Sequence, residues 1–365
     1  MKLPEINCPF PSAIHPDAQE ADIQSIAWMR GLRLCPNEEE RLRLERTGCG
    51  KLAARIVPHA SRQTLQIVSD FFIWNVSFDD EYCDEGPLST QPGELAQVLA
   101  RMLRAIDTPE AAVFADDRYA CAMREIRLRL EEHATTVQLH QWLETMRGWF
   151  FAEVWKAGNV AAHRTPSLED YAVLRLYSGG ALAFPVLAAI AEGYDPPLHW
   201  QQSRPVRALT EMAATLCTWA SDIVSYEKEL RREIGGHNLV CVVQRQFACT
   251  APAALDAAAA MYHEIMELFV RLYGHVSLSS RDIPGAQQYL RSLGYLVRAS
   301  VDWCRSSERY AAPDPGAPLI AAGGVRDSLP ARAAMARAAA LGTISWWWRY
   351  DPLRASGRDG NGPSA

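Results

Sequence analysis

The sequence predicts an all-α protein, an orthogonal or antiparallel helix bundle in a single domain. Apolar residues recur at helical spacing along most of the chain, and segments with Pro and Gly separate the amphipathic stretches. Neither a run of alternating strands nor an internal repeat is visible in the sequence. With 365 residues, 48% of them hydrophobic, the chain can bury a large core.

The helices are expected in the following order. The first covers residues 17–34, and a second follows Asn37, which can cap a helix with acids in its first turn. Further amphipathic stretches lie at about residues 61–80, 92–106, 109–133, 135–157, 167–192, 207–231, 252–274 and 283–308. We therefore place the folded domain at residues 1–312. Residues 313–330 are interpreted as a Pro/Gly-rich linker, and residues 331–365 as an extension with one possible helix and a disordered tail.

Composition argues against several classes of function. The net charge is -6 and no extended basic patch is present, so nucleic acid is not an expected partner. The longest apolar run, residues 179–191, is too short to span a bilayer and contains a Pro, and the N-terminus lacks the pattern of a signal peptide, so we expect a cytoplasmic protein. The nine cysteines are scattered without a C-x-x-C pair, and the histidines lack metal-binding spacing, which argues against a thiolate or imidazole metal centre.

An acidic cluster follows an aromatic stretch in FFIWNVSFDDEYCDEG, residues 71–86. In α-helical phase Asp80 and Asp84 share a face, where two like charges repel by about 0.2–0.5 kcal/mol. A hard divalent cation would turn this repulsion into binding, because Mg²⁺ prefers oxygen ligands. Cys83 is too soft for Mg²⁺ and is expected to pack. The alternative is a solvated acidic helix end before the turn at residues 86–87.

A second segment, residues 216–240, carries oxygen-bearing side chains in a column. Ser221, Ser225 and Glu229 stand at i, i+4 and i+8, within a stripe of about 80° on a helix. Such a column could hold one cation, and Lys228 could reach a phosphate. The alternative is a polar stripe on a surface helix. Together the two segments favour a cavity with metals on opposite walls and a diphosphate that bridges them.

These segments resemble the motifs of the class I terpene synthases, specifically the single-domain bacterial cyclases. DDEYCDE (79–85) resembles their aspartate-rich motif, D-D-x-x-x-[DE], and SDIVSYEKE (221–229) resembles N-D-x-x-S-x-x-[KR]-E. Arg175 matches the pyrophosphate-sensing arginine of the family, and Arg309-Tyr310 matches its C-terminal Arg-Tyr pair. The resemblance covers about residues 5–312 and implies the helix bundle of the class I terpenoid synthases.

The sequence departs from the family pattern at Ser221, where the family has Asn or Asp. Because a hydroxyl is a weaker and shorter ligand than an amide or a carboxylate, a water could fill the gap. The family also assigns Asp79, rather than Asp80, to the metal, and we expect Asp80 to pair with Arg309 on closure. A second Arg-Tyr pair at residues 349–350 fits the spacing less well and is interpreted as incidental.

The resemblance implies a linear isoprenyl diphosphate as substrate and three Mg²⁺ ions, with Mn²⁺ as a possible substitute. Two ions would be held by Asp79 with Asp84 or Glu85, and the third by Ser221, Ser225 and Glu229. The departing diphosphate would receive hydrogen bonds from Arg175, Lys228, Arg309 and Tyr310. Aromatic side chains would shelter the carbocation, and the candidates for this role are Phe72, Phe78, Trp149 and Trp303. Ordinary core packing is the alternative for each of them, and Phe72 and Trp303 are the preferred candidates. A helix break at Gly179, linked to the sensor arginine through Ser178, would direct a carbonyl at the cation.

Substrate length and competing functions stay open at this point. Fifteen-carbon farnesyl diphosphate is favoured, twenty-carbon geranylgeranyl diphosphate is the next candidate, and a ten-carbon or methylated ten-carbon substrate the third. A chain-elongating prenyltransferase would carry a second aspartate-rich motif, which this sequence lacks. A helical binding protein without catalysis is the alternative from another class, favoured by Ser221. The protein is expected to be a monomer or a homodimer.

Overall fold

The computed structural model describes residues 3–111, 113–231, 236–310 and 337–355, and in these ranges it contains helices and no strand. The α-helices are α1 (Ala18–Gly31), α2 (Glu38–Glu45), α3 (Cys49–Ile56), α4 (Arg62–Phe78), α5 (Pro92–Asp107), α6 (Arg118–Glu131), α7 (Thr136–Ala161), α8 (Leu168–Ser178), α9 (Ala183–Ala191), α10 (Leu198–Gln201), α11 (Arg204–Arg231), α12 (Leu239–Phe247), α13 (Ala251–Ser279), α14 (Ala286–Ser306) and α15 (Pro352–Ala355). A π-helix follows α4 at Asp79–Asp84, and short 3-10 helices lie at Pro87–Thr90, Pro109–Ala111, Glu308–Tyr310, Ala338–Ala340 and Ser345–Tyr350. The predicted all-α fold class is confirmed.

Local sequence signals explain where several helices begin. Asn37 caps α2 as predicted, because its side chain accepts hydrogen bonds from the backbone N–H groups of residues 39 and 40 at 3.0 and 3.1 Å. Ser61 and Thr64 form a capping box at the start of α4, and Thr135 and Gln138 form one at the start of α7. These caps set the starts of two helices that carry candidate site residues.

Two predicted helices are divided in the structure. The stretch at 109–133 is helical only as a 3-10 turn and as α6, because Asp117 caps α6 by accepting from the N–H groups of residues 119 and 120. The stretch at 167–192 is divided into α8 and α9 at two glycines, where Gly180 has φ of +64°. A left-handed residue ends α-helical geometry, and glycine adopts it without steric cost.

The long helices pack around an apolar interior. Helix α11 lies against α13 and α14, α3 lies against α4, and α7 lies against α5 and α8. Aromatic side chains fill the space beside α4, where Trp74 and Phe78 stack with ring centroids 4.8 Å apart. A cavity of about 870 Å³ opens between α3, α4, α7, α8, α11 and α14.

The described part of the C-terminal extension packs on the bundle as two 3-10 helices and a short α-helix. Trp347 is fully buried and donates its indole N–H to Glu211 on α11 at 3.0 Å. Arg271 on α13 makes two hydrogen bonds to Asp351, at 2.8 and 3.1 Å. The linker predicted at 313–330 and most of the predicted tail lie outside the described residues.

One segment, Leu168–Ala191, is long and apolar enough to cross a membrane by length and composition alone. Of its most apolar window, 67% is buried inside the protein. The segment also comprises α8 and α9 with the break between them. It is therefore a core element of the bundle in this structure.

Candidate active site

The acidic cluster at residues 79–85 begins where α4 changes to a π-helix. The N–H of residue 85 donates to the carbonyl of Asp80 at 2.9 Å, a hydrogen bond between residues five apart. A π-turn is wider than an α-turn, so Asp79 and Asp84 come to one side of the helix and act on each other electrostatically. Asp79 and Asp84 line the cavity, whereas Asp80 pairs with Arg309 and is not among the lining residues.

Four of the five acids in this cluster have cationic partners from other elements. These pairs are Asp80 with Arg309, Glu81 with Arg118, Asp84 with Lys156 and Glu85 with Arg43. The pair of Asp80 and Arg309 is bidentate, with N···O distances of 2.7 and 2.8 Å. This is the pairing that we expect from the sequence, and it brings the 3-10 helix after α14 against the end of α4.

Asp79 differs from the other four acids. Its Oδ1 atom is buried and has no hydrogen-bond partner among the described residues. Burial raises the pKa of Asp79 well above its ordinary range, and the nearby carboxylate of Asp84 adds to the shift. The ligand atoms of Asp79, Cys83 and Glu153 all lie within 4.8 Å of one another.

An orphaned, buried carboxylate oxygen is costly unless a cation or a donor satisfies it. A divalent cation fits this requirement, and Asp79 with Asp84 offers the oxygen ligands that Mg²⁺ prefers. Cys83 is buried, and burial raises the pKa of its thiol well above the ordinary value, which keeps it protonated. The residues present therefore fit Mg²⁺ better than a thiophilic metal.

The second group of candidate ligands lies on α11, where its members stand one or two turns apart as the sequence predicts. Ser225 donates its hydroxyl to Glu229, and Ser221 shares a hydrogen bond of 3.0 Å with the Tyr310 hydroxyl. Burial raises the pKa of Glu229, and the nearby carboxylate of Asp222 raises it further. Lys228 lines the same cavity, next to this column.

Asn238 holds Glu229 from the other side. Its amide donates to Glu229 Oε2 at 3.0 Å and to the backbone carbonyl of Asp222 at 2.8 Å. The same side chain caps α12 by accepting from the N–H of Val240 at 2.9 Å. Sequence reasoning missed Asn238, although an Asn directly before an apolar helical run is a recognisable cap signal.

Arg175 on α8 projects into the cavity and is held by Asp222. Its Nε and Nη2 atoms lie 3.0 and 2.8 Å from Asp222 Oδ1. Tyr171, one turn before it, donates its hydroxyl to the same carboxylate. Asp222 was also missed, although it stands beside Ser221 within the motif itself. An ion pair buried to this degree orients the guanidinium in the cavity.

The break between α8 and α9 comes directly after Arg175 and Ser178. A Cβ atom on Gly179 would lie 2.3 Å from the methyl group of Thr218 on α11, so the two helices approach closely at this point. Ser178 and Gly179 both line the cavity. The structure thus has a helix break at the predicted position.

Most of the predicted site residues line the same cavity, although they come from distant parts of the sequence. Those that line it are Phe72, Asp79, Asp84, Arg175, Ser178, Gly179, Ser221, Ser225, Lys228, Glu229, Trp303, Arg309 and Tyr310. Asp80 is paired with Arg309 and is not among the lining residues. Phe78 and Trp149 are buried in the aromatic core and are not among the lining residues, so their placement does not support the expected contact with substrate.

Comparison with known proteins agrees with this geometry. Residues 70–267 match the family described as "Terpene synthase family 2, C-terminal metal binding". This span is more than half of the chain and includes both acidic segments and Arg175. The chain belongs to this terpene synthase family.

Several relatives of the chain are named as synthases. The chain is 33% identical to a germacradien-6-ol synthase of Streptomyces pratensis, over 95% of this chain and 96% of the relative. It is 33% identical to a (+)-T-muurolol synthase of Streptomyces clavuligerus that cyclises (2E,6E)-farnesyl diphosphate, over 97% and 84% of the two chains. It is 30% identical to a spiroviolene synthase of Streptomyces violens, over 95% and 96%. These matches identify a bacterial class I terpene synthase, and hence a lyase that acts on diphosphates.

Solved structures give the same result for the fold. A protein from ancestral sequence reconstruction superposes with a TM-score of 0.79 at 28% identity, covering 95% of this chain and 99% of the other. An α-eudesmol synthase superposes with a TM-score of 0.73 at 18% identity, covering 82% and 98%. The second Arg-Tyr pair of this terpene synthase, Arg349-Tyr350, lies in the C-terminal extension and is not among the cavity-lining residues.

Proposed function

We propose that this terpene synthase ionises farnesyl diphosphate in a Mg²⁺-dependent reaction and cyclises the allylic carbocation to a sesquiterpene hydrocarbon or alcohol. The observation that carries the proposal is the convergence of two ligand groups on one cavity: the orphaned carboxylate of Asp79 and the Ser225–Glu229 pair. The relative named as cyclising farnesyl diphosphate supports the fifteen-carbon substrate. The cytoplasmic location and the monomeric or homodimeric state stay predictions.

Asp79 and Asp84 on the π-helix, and Ser221, Ser225 and Glu229 on α11, would hold the Mg²⁺ ions. When bound, these ions supply positive charge that stabilises the negative charge growing on the diphosphate as the C–O bond breaks. The chain's own cations complete the site. Arg175, Lys228 and Arg309 line the cavity and would donate charge-assisted hydrogen bonds to the leaving group.

Arg175, Arg309 and Tyr310, which would donate to the diphosphate, each have a partner within the protein. Arg175 binds Asp222, Arg309 binds Asp80, and Tyr310 shares a hydrogen bond with Ser221. Diphosphate binding would give these donors a further or alternative acceptor in the cavity. Ionisation would thus depend on a set of contacts that forms only in the loaded site, which protects against premature reaction.

The apolar part of the cavity would receive the isoprenyl chain. Phe72, Phe184 and Trp303 line it, and Trp303 is positioned by donating its indole N–H to the carbonyl of residue 47 at 2.8 Å. Aromatic faces stabilise a cation and exclude the water that would quench it. The helix break at Ser178–Gly179 would place polar backbone groups beside the part of the cavity that receives the isoprenyl chain.

The test is product analysis with purified protein. The protein is incubated with Mg²⁺ and, separately, with the ten-, fifteen- and twenty-carbon diphosphates, and organic extracts are analysed by gas chromatography with mass detection. We expect a cyclic product from the fifteen-carbon substrate. A product from the twenty-carbon substrate alone would assign a diterpene synthase instead, and no product from any of the three would refute the proposal.

Two variants test the assigned residues. Glu229→Gln and Arg175→Ala are expected to abolish turnover while circular dichroism shows an unchanged helical signal. Glu131→Gln is the matched control, because Glu131 is an exposed helix residue paired with Arg127 outside the cavity. Normal product formation by either site variant would remove the corresponding role.

A further inference from the structure

Lys156 is a cation of the active site that neither motif contains. It stands on α7 and lines the cavity. Its ammonium lies 2.6 Å from Asp84 Oδ1 and forms a second ion pair with Glu153. The Lys156 side chain is only 13% exposed, so the charge is held within the site rather than at the surface.

Glu153 anchors this lysine from one side. It precedes Lys156 by three residues on α7, and its side chain is fully buried. Its other oxygen accepts a hydrogen bond from the Trp149 indole at 3.2 Å, which fixes the carboxylate in the aromatic core. Lys156 therefore has one ion-pair partner on its own helix and a second, Asp84, on the π-helix.

The Asp84 carboxylate cannot bind the Lys156 ammonium and a divalent cation equally strongly at the same time. A carboxylate bound to a divalent cation has less negative charge to offer an ammonium, and the two cations repel at contact distance. A lysine ammonium has three donors on a flexible chain, so it can keep Glu153 while it exchanges Asp84 for another acceptor. The acceptor that the reaction brings into this cavity is a diphosphate oxygen.

We propose that Lys156 is an additional diphosphate-binding residue of this enzyme, whose ammonium rests on Asp84 until diphosphate replaces that contact. The inference rests on the proposed function, because it requires a diphosphate in the cavity. It involves no covalent step, and the ammonium keeps its proton throughout. In the free enzyme Lys156 also neutralises part of the negative charge around Asp79, which disfavours the binding of a metal without substrate.

Two other cations pair with the same acidic segment and provide a contrast. Arg118 binds Glu81 and Arg43 binds Glu85, but neither arginine is among the residues that line the cavity. Removal of Arg118 deletes one positive charge beside the acidic cluster without touching the cavity. Arg118→Met is therefore the matched control for Lys156→Met.

The experiment measures binding rather than turnover. Binding of Mn²⁺ to the metal-free protein is followed by electron paramagnetic resonance, and binding of inorganic pyrophosphate at saturating Mn²⁺ by calorimetry. Lys156→Met is expected to bind Mn²⁺ alone about tenfold more tightly and pyrophosphate about 10- to 150-fold more weakly, the range of one charged hydrogen bond. Lys156→Arg should retain pyrophosphate affinity, and Arg118→Met should change neither value.

The outcomes separate the inference from the proposed function. If the wild type binds no pyrophosphate with Mn²⁺, both fail. If the wild type binds and Lys156→Met leaves pyrophosphate affinity unchanged, or weakens Mn²⁺ and pyrophosphate alike, the inference alone is overturned. Lys156→Gln, which keeps a polar contact for Glu153, gives the same comparison if the Met variant does not fold.

Discussion

Asn238 offers the sharpest test of how the α11 ligands are positioned. One buried amide joins the candidate ligand Glu229, the backbone of Asp222 and the start of α12, with hydrogen bonds of 3.0, 2.8 and 2.9 Å. Asn238 does not line the cavity and so acts on the site through Glu229. Its replacement should change metal binding without removing a ligand.

Two substitutions of Asn238 separate its role as the cap of α12 from its role as a hydrogen-bond donor to Glu229. Asn238→Ser keeps a side-chain oxygen that can cap α12 but removes the amide donors. Loss of a hydrogen bond to a charged group costs about 1.5–3 kcal/mol, which corresponds to about 10- to 150-fold weaker metal binding. Asn238→Ala has the same loss and also removes the cap, which should lower the free energy of unfolding by about 1 kcal/mol more than the Ser variant.

The assay is the Mg²⁺ dependence of product formation, together with urea unfolding followed by circular dichroism. Both variants should need about 10- to 150-fold more Mg²⁺ for half-maximal rate, and only their stabilities should differ. A Ser variant with wild-type Mg²⁺ dependence would refute the reasoning. Losses of rate that simply follow the losses of stability would refute it as well, since they would indicate a structural role alone.

Two further predictions concern packing, and both are measured by urea unfolding. Gly179→Ala should lower the free energy of unfolding by about 1–3 kcal/mol, because the new Cβ would lie 2.3 Å from the Thr218 methyl. Adding Thr218→Ser, which removes that methyl, should restore the lost stability. A double variant as unstable as the single one would contradict the steric explanation. Trp347→Ala should lower the free energy of unfolding by about 3–5 kcal/mol, because the side chain is fully buried and donates to Glu211. The same substitution at the partly exposed Trp346 should lower it by less. Unchanged stability of the Trp347 variant would show that the extension does not stabilise the bundle through this side chain, and equal losses at the two positions would contradict the role assigned to burial.

The predictions from the sequence were most accurate for features that depend on local periodicity. The column of Ser221, Ser225 and Glu229 follows from a regular α-helix, and α11 is regular over these residues. The cap at Asn37 and the break at Gly179 also follow from residue types that act within a turn of their own position. These features need no information about the rest of the chain.

At the acidic cluster, periodicity alone did not identify which acids line the cavity. Residues 79–85 continue an apparently regular helix, and nothing in their composition marks the change to π geometry. Asp79 and Asp84, five residues apart in the π-helix, line the cavity, whereas Asp80 pairs with Arg309. The assignment of Asp79 to the metal site came from the family resemblance, because the phase of an α-helix argued for Asp80.

By itself, the sequence determined the all-α class, the two segments that carry the candidate ligands and the family to which they belong. Only the tertiary structure decided which groups act together. Asp222 with Arg175, Asn238 with Glu229, and Lys156 with Asp84 are pairs from different helices, and their approach depends on how the bundle packs. Hydrogen bonds and ion pairs act over a few ångströms, whereas sequence patterns report only on neighbours along one helix, so partners across the cavity became visible only in the folded chain.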